Sequence, residues 1–330
     1  MSQITPQLHP LWNAYPQLQA DLASVLMRIQ ANLDVDDVQI EQALLTTFQN
    51  GGKLLRPAFA ILMADFNPVA NRDALLNLAA SIEMLHGATL IHDDIIDDAP
   101  TRRHHPSVQA QLGKDIAVYA GDFLFAATFR MIADNVTDVA TMRQATRYLD
   151  HILYGELCQR ANHYRLDMTM AEYLNQIAGK TAALFELAII LGTSTTNADE
   201  VFISTAQSFG RNVGIAFQLL DDILDYTADA DKLGKPVLHD VREGVYSAPL
   251  ILALAHNPEI ATLVSKGAEL TDLELLALKT MVINSGAVDA AKDLAVTYTE
   301  QAWDDLDALP DAHTKNILMA ISTELLARQN

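Results

Sequence analysis

The sequence is poor in the groups that crosslink a fold or grip a polyanion. One cysteine, Cys158, stands among 330 residues, which excludes an intrachain disulfide framework and a cysteine-based zinc site. A cytoplasmic location follows as the default expectation. Lys and Arg number 22 against 42 Asp and Glu, a formal net charge of −20. No nucleic-acid partner is therefore expected, because phosphate backbones are held by clustered cations. No stretch reaches the roughly 18 to 20 uninterrupted apolar residues of a membrane span, so no integral membrane segment is expected. The opening MSQITPQLHPLWNAYP lacks both a basic and an apolar leader region, and no signal peptide is expected. Aromatics make up only 6% of the chain, yet half of it is apolar. With Ala and Leu dominant, that composition suits a large core built from helices.

Apolar residues recur at three- and four-residue spacing over Ala74–Ile96, Ile116–Ile132, Met170–Leu191 and Val201–Leu224, and this period predicts helices. Breaks come at Asn50-Gly51-Gly52, Asn67-Pro68, Ala99-Pro100 through Pro106, and Gly234-Lys235-Pro236. Pro249 belongs in the first turn of a helix rather than its middle. No strand-period segment of useful length, low-complexity linker or tandem repeat occurs, and a single all-α domain over residues 1–330 is expected. Beyond about residue 257 the chain is helical but carries no nameable chemistry.

Chemistry concentrates in two places. Asp93, Asp94, Asp97 and Asp98 close an otherwise apolar helix. At about 100° per residue, Asp93 and Asp97 lie roughly 40° apart with Asp94 beside them. Like charges gathered near a helix C-terminus are unfavourable, so something positive must compensate them. The same spacing returns in Asp221, Asp222 and Asp225, again at the end of a long apolar helix. One such cluster is compatible with a solvated face; two copies point to metal sites. Oxygen-only ligands favour a hard cation such as Mg²⁺, which commonly bridges a few carboxylates to substrate phosphates. Asp225, Thr227, Asp229 and Asp231 imitate the start of a calcium-binding loop, but Ala230 fills its glycine position and Pro236 its closing glutamate position, so that reading is rejected.

Cations are few enough to be informative. Lys53 and Arg56 flank a Gly-Gly turn that opens a helix, where side chains and backbone N–H groups can converge on an anion. Arg102, Arg103, His104 and His105 follow the first acidic cluster, and Lys180-Thr181 and Lys235 lie further on. Together GGKLLRP (51–57), EMLHGATLIHDDIIDD (83–98), RRHHPS (102–107), AGDFLF (120–125), GKTAALF (179–185), FQLLDDILDY (217–226), GKP (234–236) and DVREGVYSAPL (240–250) closely resemble the trans-type polyprenyl diphosphate synthases. Each piece is modest; the ordered set, spanning roughly residues 50 to 250, is specific.

The resemblance implies a bundle of antiparallel helices around a deep central cavity, usually in a homodimer. It implies that Asp93, Asp94, Asp97, Asp221, Asp222 and Asp225 hold Mg²⁺, three ions per active site, against an allylic diphosphate. Arg102, Lys180 and Lys235 would contact that diphosphate. Lys53, Arg56, His86 and Arg103 would hold isopentenyl diphosphate, and Thr181 and Gln218 would line the path of the developing carbocation. The implied reaction joins isopentenyl diphosphate head-to-tail to the allylic chain.

Two positions depart from the family pattern: His104 replaces a usual Gly, and Val245 stands where a Lys commonly follows Glu-Gly. The resemblance implies that the residues one to two turns before the first aspartate motif line the tail pocket; here Thr89 and Ala88, with Leu85 deeper and Gly87 between, leave its upper part open. Phe123 and Phe125 form either a lower floor or part of the core. A geranylgeranyl or longer product is therefore expected, with farnesyl diphosphate as the alternative. A catalytic subunit working with a small partner is a second alternative. A terpene cyclase is disfavoured, since it has no use for an isopentenyl site.

Overall fold

A computed structural model describes residues 8–49, 52–103, 105–227 and 238–326. They form helices joined by short loops: α1 (Pro16–Ala31), α2 (Val38–Gln49), α3 (Leu55–Ala64), α4 (Arg72–Ile96), α5 (Val108–Leu112), α6 (Lys114–Asn135), α7 (Val139–Ala161), α8 (Met170–Ile177), α9 (Ala183–Thr193), α10 (Glu200–Thr227), α11 (His239–Arg242), α12 (Ala248–Leu254), α13 (Pro258–Val264), α14 (Asp272–Asn284), α15 (Ala287–Ala308) and α16 (His313–Leu326). The expected all-α class holds. Among the described residues the only paired strands are β1 (Thr101–Arg102) and β2 (His105–Pro106), with Arg102 opposite His105. Two residues are too few to leave a period-2 signal.

The chain clusters into two compact units, Met1–Thr146 with Leu187–Ile203 and Arg147–Glu186 with Ser204–Asn330. In the first, α1 starts on Pro16 and buries Leu18, Leu22, Val25 and Ile29, a stripe at helical spacing. The Asn71 side chain accepts from the Ala74 N–H at 3.1 Å and opens α4. Helix α4 then packs on α1, α3 and α6. Close approach needs small residues: a Cβ on Gly192 would lie 2.2 Å from the Ala60 carbonyl oxygen, so α9 and α3 meet backbone to backbone.

In the second unit Thr169 and Glu172 form a reciprocal cap on α8, as Thr271 and Glu274 do on α14. Pro249 sits in the first turn of α12, as expected. The core gathers Tyr173, Ile177, Leu219, Ile223 and Tyr226 with Leu250, Ile251, Leu278 and Ala291. Helix α8 passes into a π-helical turn over Ala178–Ala182, where the Ala183 N–H reaches back to the Ala178 carbonyl. Such turns are rare and concentrate at functional positions.

The membrane expectation needs correcting. By length and composition, Arg72–Ile96, Lys114–Asn135 and Met170–Thr193 could each cross a membrane, although none is uninterruptedly apolar. Ala- and Leu-rich helices that serve a core are apolar on most sides. The apolar windows of the first and third are 78% and 83% buried, against 44% for Lys114–Asn135. That helix leaves Val118, Tyr119 and Phe129 exposed.

Candidate active site

In the first unit, the last turn of α4 presents Asp93 and Asp97, and the Asp97 N–H caps the helix on the Asp93 carbonyl at 2.8 Å. Asp94 points inward and is buried. The cation demanded by the charge argument is Arg102: its Nε donates to Asp94 Oδ1 at 2.9 Å and Oδ2 at 3.0 Å, and its Nη2 lies 2.7 Å from Oδ1. Burial pushes the Asp94 carboxyl up, while Arg102 pulls it back down. The short β1–β2 hairpin carries that arginine to its partner.

Helix α4 also carries His86 and Glu83. The Glu83 carboxyl is buried; burial raises its pKa, and the charges of Arg56 and Arg103 oppose the rise. The same two cations act on His86, which burial first, and then Arg56, Arg103 and Arg102, push well below 6.5. Its Nδ1 is shielded, with no hydrogen-bond partner among the described residues. Lys53, Arg56, His86 and Arg103 therefore belong to one region of this unit: Arg56 and Arg103 both face Glu83, and a Cβ on Gly52, next to Lys53, would lie 3.0 Å from an Arg103 guanidinium nitrogen.

A base depressed in the folded chain costs stability as pH falls. Above 6.5 neither state is protonated at His86, and below it the unfolded chain takes a proton that the folded chain refuses. His86→Gln is therefore expected to lose less stability than the parent between pH 6.5 and about 5. Urea midpoints across that window check this, and parallel curves for the two proteins would contradict it.

In the second unit the Thr181 hydroxyl donates to Gln218 Oε1 at 2.8 Å, and Gln218 Nε2 donates to Asp222 Oδ1 at 3.0 Å. Asp222 Oδ2 accepts the Ala248 backbone N–H at 3.2 Å and the Tyr173 hydroxyl. Asp222 is thus a buried carboxyl with three donors, and burial still pushes it up to about 7. Asp221 and Asp225 are less buried. Lys180, one turn before Ala183 in the π-helical stretch, reaches Glu156 Oε2 at 2.8 Å. A Cβ on Gly155 would meet the Lys180 backbone nitrogen at 2.8 Å, so α7 needs glycine there to lie against the turn.

The two aspartate triplets share a design. The middle member, Asp94 or Asp222, is held inside the protein; the flanking members, Asp93 with Asp97 and Asp221 with Asp225, are the more accessible ones. Among the described residues no three acidic, His or Cys side chains gather tightly enough to hold a metal alone. Such sparse carboxylates fit Mg²⁺, which keeps most of its shell for water and substrate phosphate.

Some readings shift or fall outside view. Gly51, His104 and Lys235 lie outside the described residues, as does most of the rejected calcium-like loop. The tail pocket is not open at Gly87: a Cβ there would lie 2.5 Å from the Phe48 ring, an aromatic supplied by α2 from 39 residues earlier in the chain. Phe125 stacks on His92 with ring centroids 5.6 Å apart. Val245, where a Lys was expected, is half-buried, and its N–H donates to the Asp240 carbonyl at 2.8 Å. Glu83, Tyr173 and Glu156 were missed. Glu83 alone left a signal, an acid one turn before His86 on an apolar helix.

Comparison with known proteins fits this geometry. The chain matches the polyprenyl synthetase family model over residues 37–274. It is 31% identical over 304 residues to heptaprenyl diphosphate synthase component 2 of Geobacillus stearothermophilus, covering 92% of this chain and 94% of that relative. The crystal structure of geranylgeranyl pyrophosphate synthase from Lactobacillus brevis superposes with a TM-score of 0.92 at 38% identity, covering 97% of this chain and 99% of that one. A Caulobacter crescentus polyprenyl synthase, solved with calcium and isoprenyl diphosphate, superposes at 0.88 with 31% identity, covering 99% of this chain and 100% of that one. The all-α fold is thus that of the isoprenoid synthases, and this chain belongs to the polyprenyl synthetase family as a prenyltransferase that lengthens isoprenoid diphosphates.

Proposed function

We propose that the chain acts as one synthase domain that adds isopentenyl diphosphate to an allylic diphosphate and releases a product of geranylgeranyl length or longer. The observation that carries this reading is the repeated triplet: two helix ends, α4 and α10, each with a fixed middle aspartate and two accessible neighbours. Asp93, Asp94, Asp97, Asp221, Asp222 and Asp225 would hold Mg²⁺, the buried Asp94 and Asp222 also fixing the register of their neighbours. When bound, the metal neutralises charge on the departing diphosphate. Arg102, Lys180 and Lys235 bind the allylic diphosphate. Lys53, Arg56, Arg103 and a neutral His86 bind the second one, and hold its double bond in reach of the allylic carbon. Thr181 and Gln218 present oriented dipoles to the developing cation, and apolar walls keep water away.

The small residues Ala88 and Thr89 support the longer product, and the Phe48 ring at Gly87 sets a limit on one side of the pocket. Incubating the purified protein with Mg²⁺, isopentenyl diphosphate and dimethylallyl, geranyl or farnesyl diphosphate, then resolving the products by length, tests this. Geranylgeranyl diphosphate or longer chains are expected. Farnesyl diphosphate alone from the short starters would overturn the length, and no isopentenyl-dependent product would overturn the reaction.

We further propose a cytoplasmic homodimer. Exposed Val118, Tyr119 and Phe129 on α6 support an assembly face. A small accessory subunit is the second reading, favoured by two relatives described as component 2 of heptaprenyl diphosphate synthases. Activity of the purified chain alone would exclude it.

A further inference from the structure

The loop that carries Lys53 is held from outside the family's matched region. Trp12 lies in a short 3₁₀ turn, Pro10–Ala14, well before residue 37, where the family match begins. Its side chain is fully buried, and its indole N–H donates to the Lys53 carbonyl at 2.9 Å. The turn is itself braced: the Leu11 N–H donates to His9 Nδ1 at 3.2 Å, the Trp12 N–H to the His9 carbonyl at 3.1 Å and the Tyr15 N–H to the Trp12 carbonyl at 2.9 Å.

The loop needs a brace. Leu54 is left-handed at φ 51°, ψ 39°, a conformation that a side-chain-bearing residue adopts only when its surroundings impose it. Leu54 is buried, and its carbonyl accepts the Ala58 N–H at 3.0 Å as the start of α3. That left-handed step sets the direction from Lys53 into the helix carrying Arg56. On the other side of Lys53, Gly52 lies against the Arg103 guanidinium. One peptide therefore links three of the cations assigned to the second anion, and the indole grips it at the Lys53 carbonyl.

We propose that Trp12 is a positioning residue for the second diphosphate site, its indole N–H fixing the Gly52–Leu54 loop so that Lys53, Arg56 and Arg103 converge on isopentenyl diphosphate. This rests on the proposed assignment of those cations. The indole touches no substrate; it sets the rigidity of the loop. An unfixed loop must be ordered at each binding event, which weakens affinity for the ligand it serves and leaves the other substrate untouched.

Steady-state kinetics of Trp12→Phe test it, with each substrate varied in turn. The KM for isopentenyl diphosphate is expected to rise about five- to tenfold, the loss of one buried hydrogen bond. The KM for the allylic diphosphate should stay within about twofold, because the indole N–H bonds to the Lys53 carbonyl, whereas Arg102 is held separately by Asp94. Since phenylalanine is smaller than indole and the variant could fold poorly, a second replacement by benzothienylalanine keeps the bicyclic volume and removes only the N–H. It should give the same split. Equal changes in both KM values, or none, in a folded variant would overturn the proposal. Lys53→Ala separates the two readings: if it leaves the isopentenyl KM unchanged, the assignment of the anion site is at fault. If it raises that KM while both Trp12 replacements do not, the positioning role is.

Discussion

Asp93→Ala is expected to lower kcat by about a thousandfold or more while leaving the unfolding temperature nearly unchanged. Losing roughly 4 kcal/mol of transition-state stabilisation has that effect on rate. Asp93 sits in the last turn of α4 and is only half-buried. Alanine is also the better helix former, and one like charge leaves a crowded turn. Fold stability therefore has little to lose.

Asp222→Ala should behave differently, losing activity and stability together. It strands the Tyr173 hydroxyl, the Gln218 amide and the Ala248 N–H, all of which now donate to that carboxyl. Each stranded buried donor costs about 1–3 kcal/mol. Steady-state rates with Mg²⁺ and thermal unfolding on the same preparations separate the two cases. Turnover within a few-fold of the parent for Asp93→Ala would refute the metal assignment.

Gly192→Ala is expected to be the most damaging single methyl group in the first unit. The added Cβ would lie 2.2 Å from the Ala60 carbonyl oxygen, 2.8 Å from its carbon and 2.9 Å from its Cα. All three are backbone atoms of α3, so no side chain can rotate away and the helices must separate. Overpacking costs about 1–3 kcal/mol when side chains can adjust, and more when they cannot. For a chain of 330 residues, with an unfolding entropy of about 2.1 cal/mol/K per residue, about 3 kcal/mol lowers the unfolding temperature by roughly 4 °C. Scanning calorimetry measures it. A shift of under about 2 °C would mean that α3 and α9 are not in backbone contact.

Helix positions were readable from the chain because burial periodicity is local. The stretch expected at Ala74–Ile96 forms Arg72–Ile96, and Val201–Leu224 forms Glu200–Thr227. Met170–Leu191 was readable only in outline. Its continuous apolar character hides the π-helical turn at Ala178–Ala182, because the segment is buried on most sides and offers no polar face whose rotation would register. The aspartate triplets and the Gly-Gly-Lys loop were readable for another reason: charge in an apolar helix and paired glycines are rare enough to mark themselves.

What each marked residue touches was not readable. Asp94 and Asp97 look equivalent in sequence, yet Arg102 buries one and leaves the other exposed. Nothing near Gly87 announces Phe48, and nothing near Lys53 announces Trp12, which is 41 residues away. The sequence by itself determined an all-α chain with two aspartate-bearing helix ends and a Gly-Gly-Lys loop, since these follow from spacing and residue type, while the prenyltransferase family was legible only through the resemblance of the ordered motifs. Only the tertiary structure decided which aspartates are anchored, which glycines admit a neighbouring backbone or ring, and what braces the loop. Those are contacts between residues far apart in the chain, and no local period or spacing encodes them.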